Sequence, residues 1–454
     1  MPGLYHEMSE TQVDCGCSGR RLIPAVAVQQ ISGSNISMKI LTISTVFPYP
    51  PQDGTKIQIF QRVRCLSETN DVTLLCIVDA LPEQVWVDEM QKYCNVQLMM
   101  RPVIQLSSGA IERAYNFIHS LVTGIPYYER GHFRRDVGAW IQRAVRTKEF
   151  DVVEGDVHAG IYLRGPLNAL KVWILHSVSD SNEKRSIRFA RDWKNWLTLS
   201  CYRVVSRRYE RVTARRVDLV VVLTPENEAD LKQVDPNINV KNCLTNGVDL
   251  DYFRYEPEAE EPQGVCFVGK MDYLPNNDAV LHFYRNIWPE VREKAPHSRL
   301  LVIGSNPLPE VVELAKDPSV EVSGFVEDVR PLIRKAGIAV VPVRMGGGIL
   351  NKVLEAMAMG VPVVASRIAI HGLKVEPGRE ILVCDSDEEF AANVIRLLSN
   401  SQFRVQMSAA GRQYVEAYHK WRPIVGRYRS ALDTLVIQKR KSQVEFQTLP
   451  LKQA

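Results

Sequence analysis

Arg344–Ser366 reads RMGGGILNKVLEAMAMGVPVVAS, and this stretch decides the fold. An apolar run over Ile338–Val343 leads into Gly346, Gly347 and Gly348. Helix-forming residues follow from Ile349 to Met359, and Gly360 stops them before the strand-like Pro362–Ala365. Glycines ahead of a helix let backbone N–H groups approach a ligand closely, and the helix dipole favours an anion there. Within the helix, Leu350, Val353, Leu354 and Met357 fall on one face, suited to packing on a sheet, while Lys352 and Glu355 fall together on the other. A cation near the helix start and a carboxylate one turn later suit a ligand that carries both phosphates and hydroxyls, as a nucleotide sugar does. The same letters also fit an ordinary glycine turn followed by a helix with a solvated Lys–Glu pair.

Outward from this stretch the alternation continues. Strands at Val265–Val268, Arg299–Ile303, Val320–Val322 and Ile381–Val383 are separated by helices near Asn277–Lys294, Leu308–Lys316 and Val329–Lys335, with Glu388–Leu398 and Phe403–His419 after them. Strand–helix alternation at this spacing implies a parallel sheet with right-handed crossovers. It defines a C-terminal α/β domain over 265–420, preceded by an acidic, Pro-containing linker within 251–264. Residues 38–250 form a second α/β domain, with strands at Lys39–Ser44, Val72–Val78, Val96–Met99, Asp151–Glu154, Val172–Leu175 and Leu219–Thr224. A final helix over 421–437 is placed to cross back to the first domain. The polar segments 1–37 and 438–454 read as disordered. Met38 directly precedes the first strand and marks an alternative start of translation.

Two loops of the first domain fall where α/β folds bind ligands, beyond the carboxyl ends of strands. The loop FPYPPQDGTK leads into a helix at Ile57–Glu68, and Gly54 within it would let backbone approach a phosphate or sugar; a plain connecting turn is the alternative. The loop GDVHAG carries Asp156 and His158, either of which could accept a proton from a hydroxyl, and a merely packed or capping His is the alternative. The next strand ends at His176.

Composition bounds the rest. At 454 residues the chain suggests two domains of roughly 200 residues each. Hydrophobic residues at 45% and charged ones at 24% are those of a globular protein, and a net charge of +4 is too mild to indicate nucleic acid. No apolar run approaches the roughly 20 residues that span a bilayer. Nine scattered cysteines, with Cys15 and Cys17 the only close pair, read as thiols in a reducing cytosol. Residues 183–216 hold eleven Lys/Arg against three Asp/Glu, interleaved with Phe189, Trp193, Trp196 and Tyr202. Such a helical surface suits an anionic membrane face or a lipid-diphosphate acceptor, or is a solvated face.

The words of the central stretch resemble those of the GT-B retaining glycosyltransferases of family 4, in which a glycine-containing loop leads into K-x-x-E-A-M-A-x-G-x-P-V-V, here Lys352 to Val364. The segment LTNGVDLDYF, Leu244–Phe253, is similar to the signature that closes the N-terminal domain in that family. FVGKMDYLPNNDAV, VIGSNPLPEV, GFVEDVRP and GILNKVLEAMAMG resemble a bacterial subgroup of sugar transferases associated with exosortase and exopolysaccharide systems. The resemblance runs from Met38 to about Ser366 and is most specific from Val265.

The resemblance implies a GT-B fold, two Rossmann-like domains facing a cleft, and transfer of a sugar from a UDP- or GDP-sugar to a saccharide or lipid-linked hydroxyl acceptor. It implies retention of configuration with no essential metal or cofactor, and no Asp-x-Asp metal motif is assigned in the C-terminal domain. Glu355 would hold the ribose. Lys352, Lys270, Arg344 and the Gly346–Gly348 loop would hold the diphosphate, and backbone at Val326 the nucleobase. His158 or Asp156 would assist the acceptor hydroxyl. Three positions depart from the family pattern: Gly347 replaces a glutamate that contacts the donor sugar, and Lys270 and Asn276 replace an arginine and a lysine at the diphosphate. A nucleotide-sugar epimerase of GT-B fold and a non-catalytic nucleotide-sugar-binding protein would share the same donor site.

Overall fold

The structure, a computed structural model, describes residues 36–101, 110–148, 150–178, 187, 192–256, 263–346 and 348–448. Lys39–Ser44 (β1), Asp71–Val78 (β2) and Asn95–Met100 (β3) alternate with helices Gly54–Ser67 (α1) and Gln84–Gln91 (α2). Helices Ala110–Thr123 (α3), Tyr127–His132 (α4) and Arg135–Lys148 (α5) precede Val152–Asp156 (β4), a 3-10 turn at Val157–Arg164, and Leu170–Leu175 (β5). Trp193–Ala214 (α6), Leu219–Val222 (β6), Pro225–Val234 (α7) and Val240–Lys241 (β7) complete the first domain.

The second domain runs Gly264–Val268 (β8), Leu274–His282 (α8), Trp288–Lys294 (α9), Arg299–Ile303 (β9), Pro309–Val312 (α10), Val320–Gly324 (β10), Arg330–Ala336 (α11), Ala339–Val341 (β11), Asn351–Ala358 (α12), Val363–Ser366 (β12) and Leu382–Cys384 (β13). Asp387–Ser399 (α13), Ser401–Tyr418 (α14) and Trp421–Thr448 (α15) follow. The helix expected over Asn277–Lys294 is broken by a π-helical turn at Phe283–Ile287.

The strands of each sheet are parallel, in the orders β3-β2-β1-β4-β5-β6-β7 and β10-β9-β8-β11-β12-β13. Both orders reverse direction at one point, between β1 and β4 and between β8 and β11. Ligands of open α/β sheets bind outside the carboxyl ends of the strands at such a reversal. The central stretch occupies the second of these points, since β11, the glycine loop and α12 are consecutive there.

The strands are apolar because both faces are covered: β1 is buried from Ile40 to Ser44 and β6 throughout. On α12 Val353, Leu354, Ala356 and Met357 are buried in the core of the second domain. The final helix α15 packs on the first domain through buried Ile424, Val425, Tyr428 and Leu432. It continues past the expected end at 437, as far as Thr448. Lys439 meets Asp218 and Ala169 O, and Arg440 meets Asp151, so the start of this polar segment is held against the first domain by charge pairs.

The two carboxyl edges meet. Asn246, in the turn between the domains, donates Nδ2 to Asn351 Oδ1 at 2.9 Å. A Cβ placed on Gly348 would lie 3.5 Å from the carbonyl of His176, and one on Gly54 would lie 3.7 Å from Asn351 Nδ2. The cleft is therefore bounded by the starts of α1 and α12 and by the end of β5.

Candidate functional site

On the C-terminal side, Gly346 and Gly348 have φ of +113° and +85°, conformations that an L side chain rarely adopts. The middle glycine, Gly347, lies outside the described residues. Helix α12 then presents Lys352 and Glu355 into the cleft, both half-buried by area. Lys352 Nζ donates to Asn276 Oδ1 at 2.8 Å and stands 4.0 Å over the ring of Phe267. Gly269 makes room for it, because a Cβ there would come within 2.9 Å of that nitrogen and 2.7 Å of Asn276 Nδ2. Burial pushes the Lys352 ammonium down to about 7, against the opposing pull of Glu355. Burial likewise pushes Glu355 up to about 7, against the pull of Lys352. Among the described residues nothing donates a hydrogen bond to the Glu355 side chain. A desolvated cation and a desolvated carboxylate one turn apart, beside backbone that only glycine can trace, form a site adapted to a polar ligand.

The other donor-side residues behave differently. Arg344 is engaged fork-to-fork by Asp278 at 3.0 and 2.5 Å, so its charge is paired within the second domain rather than free in the loop. Lys270 is exposed, 3.4 Å from Asp272, and its carbonyl accepts from Asn276 Nδ2. Asn276 thus links Lys270 to Lys352, a role that reading it as a lost lysine did not reveal. Val326 packs against the core beside Gly324, whose φ is +66° and whose surroundings are open. Tyr252 stacks under Arg330, whose guanidinium is 3.8 Å from the ring, and adds an aromatic surface that the sequence reading left out.

On the N-terminal side, strand β4 extends to Asp156 rather than ending at Glu154, so Asp156 belongs to the sheet edge and not to the loop. Both of its oxygens accept from Nη2 of the buried Arg62 guanidinium, at 3.0 and 2.9 Å. Burial alone would raise Asp156, but Arg62 and His176 together outweigh it and hold the carboxyl below its usual range. Arg62 also donates to Glu154 at 3.0 Å, and Glu154 accepts from Thr42 at 2.8 Å and from Tyr428 of α15 at 2.5 Å. Asp156 is therefore a fixed anion, poorly suited to take up a proton. His176 lies 3.8 Å from it, with Nδ1 3.4 Å from Thr55 Oγ1.

His158 sits in the turn after β4. Its Nδ1 is 2.9 Å from the buried Glu129, and its ring lies 4.4 Å from that of His132, nearly parallel. Burial and the neighbouring His158 push His132 down to about 3. Gly54 opens α1, directly after the N-cap Asp53, and is not part of a loop.

Arg62 and Glu129 carried no motif in the sequence, whereas Gly269 and Asn276 lie within FVGKMDYLPNNDAV, where Asn276 reads only as a departure from the family's lysine. His176 did carry a signal, because a polar residue directly after a predicted parallel strand faces the crevice.

Among the described residues, no three of His, Cys, Asp and Glu converge as a metal-ion site. Asp385-Ser-Asp387 does have the Asp-x-Asp spelling that the sequence reading passed over. Its carboxylates face different partners, Arg367 and His282.

Residues 262–400 match the family model described as glycosyl transferases group 1. A GDP-mannose-dependent monoacylated alpha-(1-6)-phosphatidylinositol monomannoside mannosyltransferase of Corynebacterium glutamicum is 34% identical over 145 residues, 29% of this chain and 38% of that protein. The chain thus spans well under half the length of that curated relative. Sucrose-phosphate synthase from Thermosynechococcus elongatus superimposes with a TM-score of 0.62 at 17% identity, covering 88% of this chain and 100% of that one. The Anabaena HepE protein in complex with UDP and glucose does so with a TM-score of 0.59 at 13% identity, covering 87% and 100%. At such identities the likeness speaks to the fold. The chain has the GT-B architecture, two parallel-sheet α/β domains with their carboxyl edges face to face, and its second domain matches the glycosyl transferases group 1.

Proposed function

We propose that the protein transfers a glycosyl group from a nucleoside-diphosphate sugar to a hydroxyl acceptor. The observation that carries this reading is Lys352, half-buried beside Gly269, held by Asn276, and followed one turn later by Glu355. In the transfer, the bond between the anomeric carbon and the diphosphate breaks and its electron pair stays on the phosphate. Lys352 and the N–H groups at the start of α12 meet that developing charge. Glu355 accepts from the ribose hydroxyls, with Tyr252 and the Val326 loop toward the base. Lys270 adds charge at the rim.

The acceptor lies against the first domain, where His158, held by Glu129, is the better of the two expected residues to receive the hydroxyl proton, because Asp156 is tied to Arg62. Asp156 instead anchors the surroundings of His176. The C. glutamicum relative is named for GDP-mannose and HepE binds UDP, so the donor is a UDP- or GDP-sugar. Retention of configuration, and a place in bacterial polysaccharide or glycoconjugate synthesis, follow from the motif resemblance.

The test is ligand-dependent thermal stabilisation with UDP, GDP, ADP and their sugars, followed by product analysis with a donor alone and with acceptor panels. A ligand at 100 times its Kd stabilises by about 2.7 kcal/mol. Stabilisation by none of these nucleotides would overturn the reading. Conversion of the sugar in the absence of any acceptor would replace it with epimerisation.

A further inference from the structure

Helices α3 and α6 lie side by side on the first domain, with the rings of Phe117 and Tyr202 5.8 Å apart and the side chain of Arg208 against Gly124 at the end of α3. Each helix turns large apolar side chains outward. On α6 these are Trp193, Trp196, Leu197 and Val204, at helical spacings that place them in one stripe. On α3 they are Tyr115, Ile118, Leu121 and Val122, with Val122 75% exposed. The buried face of α6 is a different one, carrying Val205, Tyr209 and Ala214.

The α6 stripe does not remain apolar. One and two turns beyond Val204 it continues through exposed Arg207, Arg208 and Arg211. Between Trp193 and Arg216 the sole carboxylate in the sequence is Glu210, which is buried. Exposed apolar surface gathered on two adjacent helices marks an interaction site. Tryptophans and aliphatics flanked by arginines, with no outward acid along α6 itself, match the surface of an anionic bilayer, where rings and aliphatics enter the headgroup boundary and guanidinium groups meet phosphates.

We propose that the joint α3–α6 face docks this protein on an anionic lipid bilayer, with Trp193, Trp196, Leu197, Ile118 and Val122 inserted and Arg207 and Arg208 in contact with headgroups. No described helix is long and apolar enough to cross a membrane, so this is attachment in the plane of the interface. Helices α4 and α6 both contact the turn Val157–Arg164 that carries His158. On the proposed function, docking therefore sets the acceptor side of the cleft beside the bilayer. The docking itself does not depend on that function.

The experiment is co-sedimentation of the full chain with phosphatidylcholine vesicles, with and without phosphatidylglycerol, at low and near-molar salt, alongside tryptophan emission. The expected result is binding to the phosphatidylglycerol vesicles at low salt, a blue shift of the emission, and release by salt. The paired variants Trp196→Ser/Leu197→Ser and Ile118→Ser/Val122→Ser should each weaken binding by about tenfold or more. Arg207→Gln/Arg208→Gln should weaken it by about tenfold. All three should keep the melting temperature and the nucleotide-induced stabilisation of the parent, which separates failure of docking from failure of the donor site. No sedimentation at low salt, or variants that bind like the parent, would overturn the proposal. So would a vesicle-free, concentration-dependent dimer abolished by the same variants, because the face would then belong to a second copy of the chain.

Discussion

Replacing Lys352 with Met separates a functional from a structural reading of the central helix. Held at about 7 instead of 10.5, the Lys352 ammonium destabilises the fold by about 5 kcal/mol relative to a solvated lysine. Its folded pKa is depressed, so this deficit is full below about 7 and fades as pH rises toward 10.5, where the unfolded chain also loses the proton. Methionine fills a similar volume over Phe267 and leaves Asn276 Oδ1 without its donor, a loss of about 1–3 kcal/mol. Glu355, already pushed up to about 7 by burial, stays protonated more readily once the cation is gone. The net expectation at pH 7 is a variant more stable than the parent by about 2 kcal/mol, visible as a rise in Tm of a few degrees, with the gain vanishing in alkaline buffer. Turnover should move the other way and fall by about 10² or more, the cost of removing one preorganised donor from a developing charge. Thermal melts at neutral and alkaline pH and single-turnover rates with the identified donor measure both quantities. A variant destabilised at neutral pH with its turnover intact would return Lys352 to a packing role.

Asp156→Asn should destabilise by about 3–5 kcal/mol in denaturant melts, because it removes one partner of the buried Arg62, whereas Tyr428→Phe should cost only about 1–3 kcal/mol. Gly269→Ala places a methyl 2.9 Å from Lys352 Nζ and 2.7 and 2.9 Å from Nδ2 and Cγ of Asn276, so the ammonium and the amide that holds it must shift. That variant should fold normally and lose about 10² in turnover by displacing the ammonium, as single-turnover rates and a melt would show. Calorimetric titration with nucleoside diphosphate should show proton uptake on the alkaline side of 7, since a diphosphate favours charged Lys352. Affinity should then fall as pH rises from about 7, and the Met variant should lose that dependence.

Everything governed by neighbours along the chain was legible in the sequence. The period of apolar residues separates strands from helices over nearly all of 38–420, and strand–helix alternation imposes parallel sheets. The glycine loop was legible because few other residues trace the backbone that Gly346 and Gly348 adopt. Lys352 and Glu355 were legible as a pair because positions three apart on a helix share a face.

The tertiary structure decided what those residues experience. Neither carries a shifted pKa until the second sheet desolvates it. Asn276 reads as a lost cation until the fold brings it 2.8 Å from Lys352. Arg344 reads as a free cation until Asp278 neutralises it, and Asp156 as a free base until Arg62 of α1 takes its carboxylate. The segment from Gln438 to Thr448 has no apolar stripe to announce a helix, and the carboxylates that steady Lys439 and Arg440 lie more than 200 residues earlier in the chain. Local periodicity records the backbone hydrogen-bonding pattern, which is short-range. Burial, charge pairing and proton affinity depend on which distant segments share a low-dielectric volume, and only the folded chain specifies that.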